Sequence, residues 1–463
     1  MEGLEVSFVS NNSLEYSGRI DAEYYRKEFL ELEEAVLSRN GVELGSLADF
    51  LIGPFGSAFT VDNYTDDASY RYIRGKDVKP LTLMDNDNVF MPETDYYRLR
   101  RYALREDDVM VSVVGTLGNA ALVTPKDLPA VFSCKSSVVR PDSLNPVYLT
   151  AYLNCRYGRG LLLRKERGAI QKGLNLDDLR DVLVFEPSEG SQINIERAFR
   201  AALSLQERSK SLLGAAEKKL LDALGLADWT PPEPLTYTAR AENVFASGRF
   251  DARFFAPRIQ VLLDLISVDG RTVGDVAAQR RERFRPAKCV DFHYIEIGGI
   301  DGAGAATSTH LACSEAPSRA TWHVRPDDII TSTVRPIRRL SAQIAPEQDG
   351  YVCSSGFVVV QPQDIAPEVL LTYLRLPVIC ELLDLFASAS MYPAITDADI
   401  FNLPLPNIPN EVTEEVTRNV QEAKAAKASA ANMLEAAKRA VEIAIEDGEP
   451  AAMAFLDQAE EAI

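Results

Sequence analysis

Two short stretches of the chain carry clustered cations that could bind phosphate groups. The clusters consist of Arg98, Arg100, Arg101 and Arg105, and of Arg280, Arg281, Arg283, Arg285 and Lys288. Basic loop side chains fix the register of a protein on a nucleic-acid duplex through its phosphates. We therefore predict nucleic-acid contacts from Arg98, Arg100, Arg101, Arg281, Arg283 and Arg285, joined by Arg74 and Lys76 at the end of a predicted strand. The alternative is solvated loop charge in an acidic protein.

A second group of side chains could read base edges. Asn and Gln pair bidentately with adenine, and Arg pairs with guanine. The candidates in the first half of the chain are Thr116, Asn119, Gln171 and Lys172, and those in the second half are Arg335, Arg338, Arg339 and Tyr392. The alternative is that these turn residues hydrogen-bond to their own backbone.

Motifs that would indicate an enzyme are missing or have simpler explanations. The segment 115–118 (Gly-Thr-Leu-Gly) lacks the Lys-Ser/Thr of a phosphate-binding loop, and no GxGxxG follows a predicted strand. Asn145-Pro146-Val147-Tyr148 resembles a methyltransferase motif only superficially, because its second copy at 366–369 shares just the proline, which suits the start of a helix. The pairs Asp107-Asp108 and Asp327-Asp328 precede β-type runs, which favours turns over a metal site. We predict no catalytic residue, metal or cofactor.

Length and composition bound the class of protein. The 463 residues are too many for one ordinary core, so two or more domains are expected. No apolar run approaches the roughly 18 residues of a membrane span, and residues 1–17 lack the pattern of a signal peptide. The six cysteines form no CxxC pair. Read as free thiols in a chain without an export signal, they predict a cytoplasmic protein with no membrane partner.

The charge is strongly negative but unevenly distributed. A net charge of −19 argues against a simple nucleic-acid binder. Residues 405–463 hold 12 Asp/Glu and 5 Lys/Arg. By contrast, residues 93–172 hold 8 Asp/Glu and 13 Lys/Arg, and residues 271–340 hold 8 Asp/Glu and 11 Lys/Arg. The acid is thus expected on the predicted helices and tails, and basic stretches lie in the globular parts that carry the candidate contacts.

Two long helices with a heptad seam are predicted. In the first, from Ser191 to Leu226, apolar or small residues recur at alternating steps of four and three. The apolar seam residues at positions 195, 199, 213 and 220 have apolar counterparts 221 residues later. The polar residue that interrupts the first seam, Gln206, also has a polar counterpart at the same offset, Lys427. A shared seam with the same break at one offset indicates an internal duplication. The break either fixes the helix register or opens the seam to water.

The duplication extends to the segments before each helix. The block Ser17–Tyr25 recurs as Ser247–Phe255, and each copy is followed by a helix, short β-type segments and a capped closing helix at Asn175–Asp181 or Thr396–Asn402. The predicted fold is therefore α/β (α+β), with two tandem globular domains, each followed by a long helix. The boundaries are a globular domain at 1–188, a helix at 189–226, a linker at 227–246, a second globular domain at 247–408, a helix at 409–447 and an acidic, loosely packed tail at 448–463.

This ordered double set resembles the specificity (S) subunit of Type I restriction–modification systems over nearly the whole chain. The segment Asp107–Asn119 resembles the family's G/D-D-[IV]-[LIV]-x-S…G-T-x-G pattern, and Gly168–Leu174 resembles its G-x-x-Q-x-x-L turn. The second half departs from both patterns, at Thr333–Arg339 and at Ser390–Ile395.

The resemblance implies a non-catalytic subunit whose two target-recognition domains read a split double-stranded DNA site. It also implies that the two helices form an antiparallel coiled coil that docks two methyltransferase (M) subunits, with restriction (R) subunits joining the complex. One alternative is a related system with a fused methyltransferase-nuclease partner. Another is a scaffold or DNA mimic that does not bind DNA, which the net charge of −19 allows.

Overall fold

The computed structural model describes residues 5–12, 14, 18–85, 87–168, 172–227, 229–231, 233–387 and 394–461. The chain divides into two compact units: unit 1 comprises residues 1–205 and 428–463, and unit 2 comprises residues 206–427. The helices are α1 Lys27–Leu37, α2 Glu93–Arg98, α3 Pro146–Asn154, α4 Arg156–Arg164, α5 Leu176–Arg180, α6 Glu189–Ala223, α7 Ala241–Ser247, α8 Pro257–Ile266, α9 Pro367–Arg375, α10 Pro377–Phe386, α11 Asp397–Phe401, α12 Asn410–Glu446 and α13 Glu449–Glu461.

The strands are short, and several short 3-10 turns separate them. They are β1 Val42–Glu43, β2 Ala48–Ile52, β3 Arg71–Ile73, β4 Leu81–Thr82, β5 Val109–Ser112, β6 Ala120–Leu122, β7 Ala130–Phe132, β8 Ser136–Pro141, β9 Leu183–Val184, β10 Ala277–Gln279, β11 Asp291–Ile295, β12 Thr309–Ala312, β13 Ala320–His323, β14 Ile329–Ser332, β15 Ser341–Gln343, β16 Val352–Ser354 and β17 Phe357–Pro362.

Unit 1 is built on a five-stranded sheet of order β2-β8-β5-β6-β4. The central strand β5 reads Val-Met-Val-Ser and is buried throughout, as expected for a β-branched run covered on both faces. It pairs antiparallel with β8, Val109 opposite Val139 and Ser112 opposite Ser136. Helices α3 and α4 bury Tyr148, Tyr152 and Leu162 in the main core of this unit. A parallel β3–β7 ladder lies beside a smaller core.

Unit 2 repeats this plan with two four-stranded sheets. Their orders are β10-β17-β14-β15 and β12-β11-β16-β13. Strand β14 pairs antiparallel with β17, Ile329 opposite Val360 and Ser332 opposite Phe357. The repeated strand segments predicted from the sequence are therefore confirmed, and the fold is the predicted mixture of sheets and helices.

The acidic pairs before β5 and β14 form turns, as predicted. The first residue of each pair has a left-handed backbone, with φ 64° at Asp107 and 67° at Asp327. The second is buried: Asp108 pairs with Arg140 at 2.7 Å and Asp328 pairs with Arg280 at 2.6 Å. Across the described part of the chain, no group of three or more His, Cys, Asp or Glu is arranged to hold a metal ion.

The two long helices pair antiparallel. In unit 1, Phe199 and Ala202 of α6 pack with Ala430 and Leu434 of α12. In unit 2, residues from the other end of each helix share a core, and these are Ala216 and Leu220 of α6 and Val416 and Val420 of α12. The seam ends earlier than predicted, since Ala223, the last residue of α6, is exposed. Gly225 (φ 70°) then ends the helix in the left-handed conformation that favours glycine.

The polar break in the seam contacts protein groups. The Lys427 ammonium forms an ion pair with Asp301 of unit 2. One turn further along α6 from Gln206, the buried Ser209 hydroxyl donates a hydrogen bond to the Ala423 carbonyl at 2.7 Å. Lys427 thus turns towards a globular loop, and Gln206 is half-buried. Both interpretations of the break stay predictions.

The expectation of a loosely packed tail is wrong for residues 449–461. They form α13, which buries Ala452 and Leu456 in the core of unit 1. The Glu449 carboxylate accepts hydrogen bonds from the Ser188 amide at 3.1 Å and the Ser191 hydroxyl at 2.5 Å. The tail is acidic, but its small and apolar residues recur at helical spacing and supply a buried face. Helix α7 likewise occupies part of the predicted linker.

The interpretation of all six cysteines as free thiols is also wrong. Cys289 and Cys313 form a disulfide with their Cα atoms 6.0 Å apart. The Cys313 amide donates to the Val290 carbonyl at 2.9 Å. The start of β11 and the end of β12 therefore bring Cys289 and Cys313 together, although they are distant in sequence. The free cysteines of the described residues are Cys134, Cys155, Cys353 and Cys380. In the part of the chain that the structure describes, no helix is long and apolar enough to cross a membrane.

Candidate nucleic-acid interface

The loops at one end of the unit 1 sheet come together. Because β5 and β8 are antiparallel, the end of β5 lies beside the start of β8. The Val113 amide donates to the Lys135 carbonyl, and the Leu174 amide donates to the Val113 carbonyl, both at 3.0 Å. Gly53 presses on Ser133, whose carbonyl oxygen would lie 2.3 Å from a Cβ at that position. We call residues 53–56, 113–118, 133–135 and 172–174 the first loop edge.

The predicted base-reading residues of unit 1 have different environments. Thr116 and Lys172 are exposed on the first loop edge, and Lys172 forms an ion pair with Glu166. Gln171 lies outside the described residues. Asn119 is only 4% exposed, donates to the Val78 carbonyl at 3.1 Å and accepts from Arg159 at 2.9 Å. The prediction for Asn119 is corrected, because both ends of its amide are used inside the protein.

Several predicted phosphate contacts of unit 1 are paired within the protein, and Gly75, between Arg74 and Lys76, packs against Lys135 of the first loop edge. Arg74 is largely covered and binds Asp77 at 2.9 Å, which raises the pKa of the guanidinium. Lys76 binds Asp87 at 2.7 Å, and this hydrogen bond lowers the pKa of Asp87. Arg74 therefore has a structural role at this 3-10 turn, which corrects its prediction as a nucleic-acid contact, whereas Lys76 is exposed and its partner is on the surface.

The arginines around α2 are more accessible. Arg98 is about half exposed, pairs with Asp95 and donates to the Ala58 carbonyl at 2.8 Å. Arg101 lies over the Tyr102 ring at 4.6 Å. Arg100 is exposed, and the described residues offer its side chain no hydrogen bond or ion pair. These three residues can therefore reach a phosphate by small side-chain movements.

Unit 2 has a corresponding edge. The Thr333 amide donates to the Gly356 carbonyl at 2.9 Å, and the Ser355 amide donates to the Arg319 carbonyl at 2.7 Å. The chain after β10 runs along β13, where the Phe284 amide donates to the Thr321 carbonyl at 2.8 Å. We call residues 281–285, 319, 333–340 and 354–356 the second loop edge.

This second loop edge gathers most of the predicted contacts of unit 2. The exposed cations are Arg281, Arg283, Arg285, Arg335 and Arg338. Arg281 is tied to Asp397 at 2.6 Å, and Arg339 is tied to Glu217 of α6 at 2.5 Å. For Arg283, Arg285, Arg335 and Arg338, the described residues provide no side-chain partner. Tyr392 lies outside the described residues. The edge is therefore a basic surface with four side chains available to a ligand.

The two loop edges share a backbone frame and differ in side chains. Gly115 and Gly118 in unit 1 have φ values of 92° and 72°. Arg335 and Arg339 in unit 2, which follow β14 in the same way, have φ values of 51° and 58°. In both units, the last residue of the central strand donates one backbone hydrogen bond across the loop. The Ser112 amide donates to the Asn119 carbonyl, and the Ser332 amide donates to the Leu340 carbonyl, each at 2.9 Å.

Sequence reasoning missed three residues of these edges. Phe55 is 86% exposed beside Ser133 and Cys134. Lys135 is exposed on the first loop edge, and Arg319 is exposed on the second. Their sequence signal was weak, since each stands alone among small or polar neighbours. Only the Gly-Pro-Phe-Gly run at 53–56 marked a tight turn with an aromatic residue at its tip.

Comparison with solved structures finds similar chains. The crystal structure of the Type I restriction–modification system S subunit from M. genitalium is 12% identical, with a TM-score of 0.41, and the match covers 88% of this chain and 94% of that chain. A chain from a study of complex assembly and conformational transition of the type I R-M system is 17% identical, with a TM-score of 0.27 and coverages of 90% and 96%. The HsdS subunit from Thermoanaerobacter tengcongensis is 16% identical, with a TM-score of 0.26 and coverages of 90% and 95%.

These descriptions name the type of system that the sequence motifs resemble. No protein-family model matches the chain, and no curated protein matches it.

Proposed function

We propose that this chain is the DNA-recognition subunit of a Type I restriction–modification complex and has no catalytic activity of its own. The observation that carries the proposal is the repeated loop edge. Two copies of one fold each place two residues with a left-handed backbone in the loop after the central strand, and these are Gly115 and Gly118 in one copy and Arg335 and Arg339 in the other. A constant frame with different exposed side chains suits two readers of different half-sites.

The charge distribution supports duplex DNA as the ligand despite the net charge of −19. Arg283, Arg285, Arg335 and Arg338 are exposed together on the second loop edge. Guanidinium groups bind phosphate oxygens and the O6/N7 edge of guanine, so this surface can position the duplex and read bases. The DNA site is proposed to be bipartite, with one half for each unit.

The partners follow from the proposed family. Two methyltransferase subunits dock on the paired helices α6 and α12, and restriction subunits join the complex. The chain acts in the cytoplasm, needs no cofactor, and has its two target-recognition domains at residues 1–188 and 247–408. The internal duplication supports two copies of the methyltransferase partner. Because the heptad pattern of α6 is repeated in α12, the two helices present two similar surfaces, one for each copy.

Sequencing the methylated positions of the host genome tests the proposal. Deleting the gene, with its neighbouring methyltransferase gene left intact, should remove methylation from one split motif, and the gene in trans should restore it. An unchanged methylation pattern would contradict the proposal and favour a scaffold or DNA mimic. A fused methyltransferase-nuclease as the neighbouring gene would identify the related system instead.

A further inference from the structure

Phe55 is an exposed aromatic side chain at the tip of a turn that the protein holds in place. It is 86% exposed, while the preceding Pro54 is buried. An exposed aromatic ring gives up the large free energy of burial. Single exposed apolar residues are nevertheless common on protein surfaces, so the exposure of Phe55 indicates a function only together with the structure around it.

The turn that carries Phe55 is closely packed against the sheet. A Cβ at Gly53 would lie 2.3 Å from the Ser133 carbonyl oxygen, so only glycine permits this approach. The Ala58 amide donates to the Phe55 carbonyl at 2.8 Å and closes the turn that follows. The φ of Pro54 is restricted by its ring. Because the backbone is fixed on both sides, the ring of Phe55 projects from a rigid base.

The charge around Phe55 matches a polyanion. The exposed Lys135 follows the Ser133–Cys134 segment on which the turn packs. Arg98, which also pairs with Asp95, donates to the Ala58 carbonyl three residues after Phe55 at 2.8 Å and is 51% exposed. An exposed apolar ring on a turn that adjoins two exposed cations fits a duplex, which presents phosphates outside and apolar base faces inside.

Unit 2 places similar chemistry on its own edge. Pro336 is buried, and the following Ile337 is 52% exposed. Ile337 lies between Arg335 and Arg338, which are both exposed. The two units use different loops for this arrangement, so the recurrence of a buried proline, an exposed apolar residue and flanking cations is a second, independent observation.

We propose that Phe55 is a wedge that inserts between two adjacent base pairs of the half-site read by unit 1. The proposal rests on the DNA-recognition function proposed above. Insertion costs unstacking energy, which is smallest at flexible pyrimidine–purine steps. Phe55 therefore selects a TA or CA/TG step because that base-pair step is easily deformed, and it makes no hydrogen bonds to the bases.

Fluorescence of 2-aminopurine tests the wedge in the complex of the full chain with its methyltransferase partner. The probe replaces one base at a time across the half-site, except the methylated base, because methyltransferases extrude their target base. Binding of the wild type should raise the fluorescence at one pyrimidine–purine step. Phe55→Ala should abolish that rise and weaken binding to the specific duplex by about 5- to 150-fold, the range of one base–aromatic stacking contact.

Matched variants make the result specific. Phe55→Leu keeps an apolar side chain and should retain part of the fluorescence rise. Leu37→Ala removes an apolar residue of α1 that is 52% exposed and lies outside the loop edge, so it should behave as the wild type. Thermal melting of each variant establishes that it is folded. The slope of log affinity against log salt should not change for Phe55→Ala, because no phosphate contact is lost.

The possible failures are distinguishable. Salt-dependent DNA binding without any fluorescence rise, or with a rise that survives in Phe55→Ala, would overturn the wedge and leave the proposed function standing. A loss of affinity that disappears when the thymines are replaced by uracil would identify a contact with a thymine methyl group and would also overturn the wedge. A wild-type complex that does not bind duplex DNA would refute the proposed function itself.

Discussion

Two arginines of the second loop edge hold a backbone conformation that glycine holds in unit 1. Arg335 and Arg339 have φ values of 51° and 58°, and a side-chain-bearing residue in this region costs roughly 1–2 kcal/mol. Such strain concentrates where the side chain has a function. Arg339 uses its side chain on Glu217, at 2.5 Å. Arg335 is exposed, so its function is expected to lie with a ligand.

Replacing Arg335 by glycine should therefore separate stability from binding. Arg335→Gly relieves the strain and adds about 0.5–1 kcal/mol of backbone entropy cost, so we expect the free energy of unfolding to stay level or rise by up to about 1.5 kcal/mol. Specific DNA affinity should fall by about 5- to 150-fold if the side chain reads a guanine, with specificity relaxed at that base. Thermal melting and binding to single-base variants of the site measure the two effects.

Two further variants control this experiment. Arg335→Ala keeps the strain and loses the side chain, so it should bind as weakly as Arg335→Gly without any gain in stability. Arg253→Ala removes the same charge from an exposed position before α8, outside the loop edge and the long helices, and should bind normally. Equal weakening by Arg253→Ala would mean that only net charge matters, which would contradict a specific contact by Arg335.

At the scale of the elements, Lys427 links α12 to a loop of unit 2 through Asp301. Burial raises the pKa of Asp301, but hydrogen bonds from Lys427 and from the backbone amides of Ala305 and Ala303 outweigh it, and the pKa lies below its ordinary value of 3.8. A depressed carboxyl pKa contributes stability above its unfolded value, and that contribution is lost as the pH falls through the folded value.

Lys427→Met should show this dependence. At pH 7 the variant should lose about 0.5–1 kcal/mol of unfolding free energy, a small value because both side chains are more than a third exposed. The difference from the wild type should shrink as the pH falls towards about 3. Urea unfolding at both pH values measures it, with Lys210→Met on the exposed face of α6 as the control. A deficit that is independent of pH would show that packing, not the ion pair, is responsible.

The helices and central strands were predictable because their signals are local and repeated. The seam positions at an offset of 221 mark α6 and α12, and a β-branched run after an acidic pair marks β5 and β14. Asn145 and Pro146 mark the start of α3 through the N-cap and first helical position. These patterns need no knowledge of distant residues.

The partners of individual side chains were not predictable, because they come from distant parts of the chain. The sequence places Asn119 in a turn and so suggests that it is exposed. In the structure its side-chain amide is hydrogen-bonded to the Val78 carbonyl and to Arg159. The pairing of Cys289 with Cys313 depends on the register of β11 and β12. The prominence of Phe55 depends on how Gly53 packs against Ser133. Candidate sites on loops are therefore less certain from sequence than the elements that carry them.

At the scale of the whole molecule, the duplication separates what is constant from what varies. Both units keep the Asp-capped turn before the central strand, through Asp108 and Asp328, and a closing helix capped by Asn175 or Thr396. The loop edges differ in nearly every exposed side chain. If the loop edges recognise DNA, then exchange of one globular unit should change the sequence of the half-site that this unit reads. The half-site that the other unit reads should stay the same.

Exchanging one globular unit tests that expectation. Residues 40–185 are replaced by the matching segment of a related subunit, which leaves α6, α12 and Arg39 in place. Arg39 donates to the Ile445 carbonyl at 2.8 Å, so the anchor of unit 1 to α12 is kept. Sequencing of methylated sites in a host with the partner subunits should show a new sequence in one half-site and the original in the other. Arg335→Ala is the reciprocal control, since it should relax only the half-site that the exchange leaves unchanged. A change in both half-sites, or in neither, would mean that the two units do not read the DNA separately.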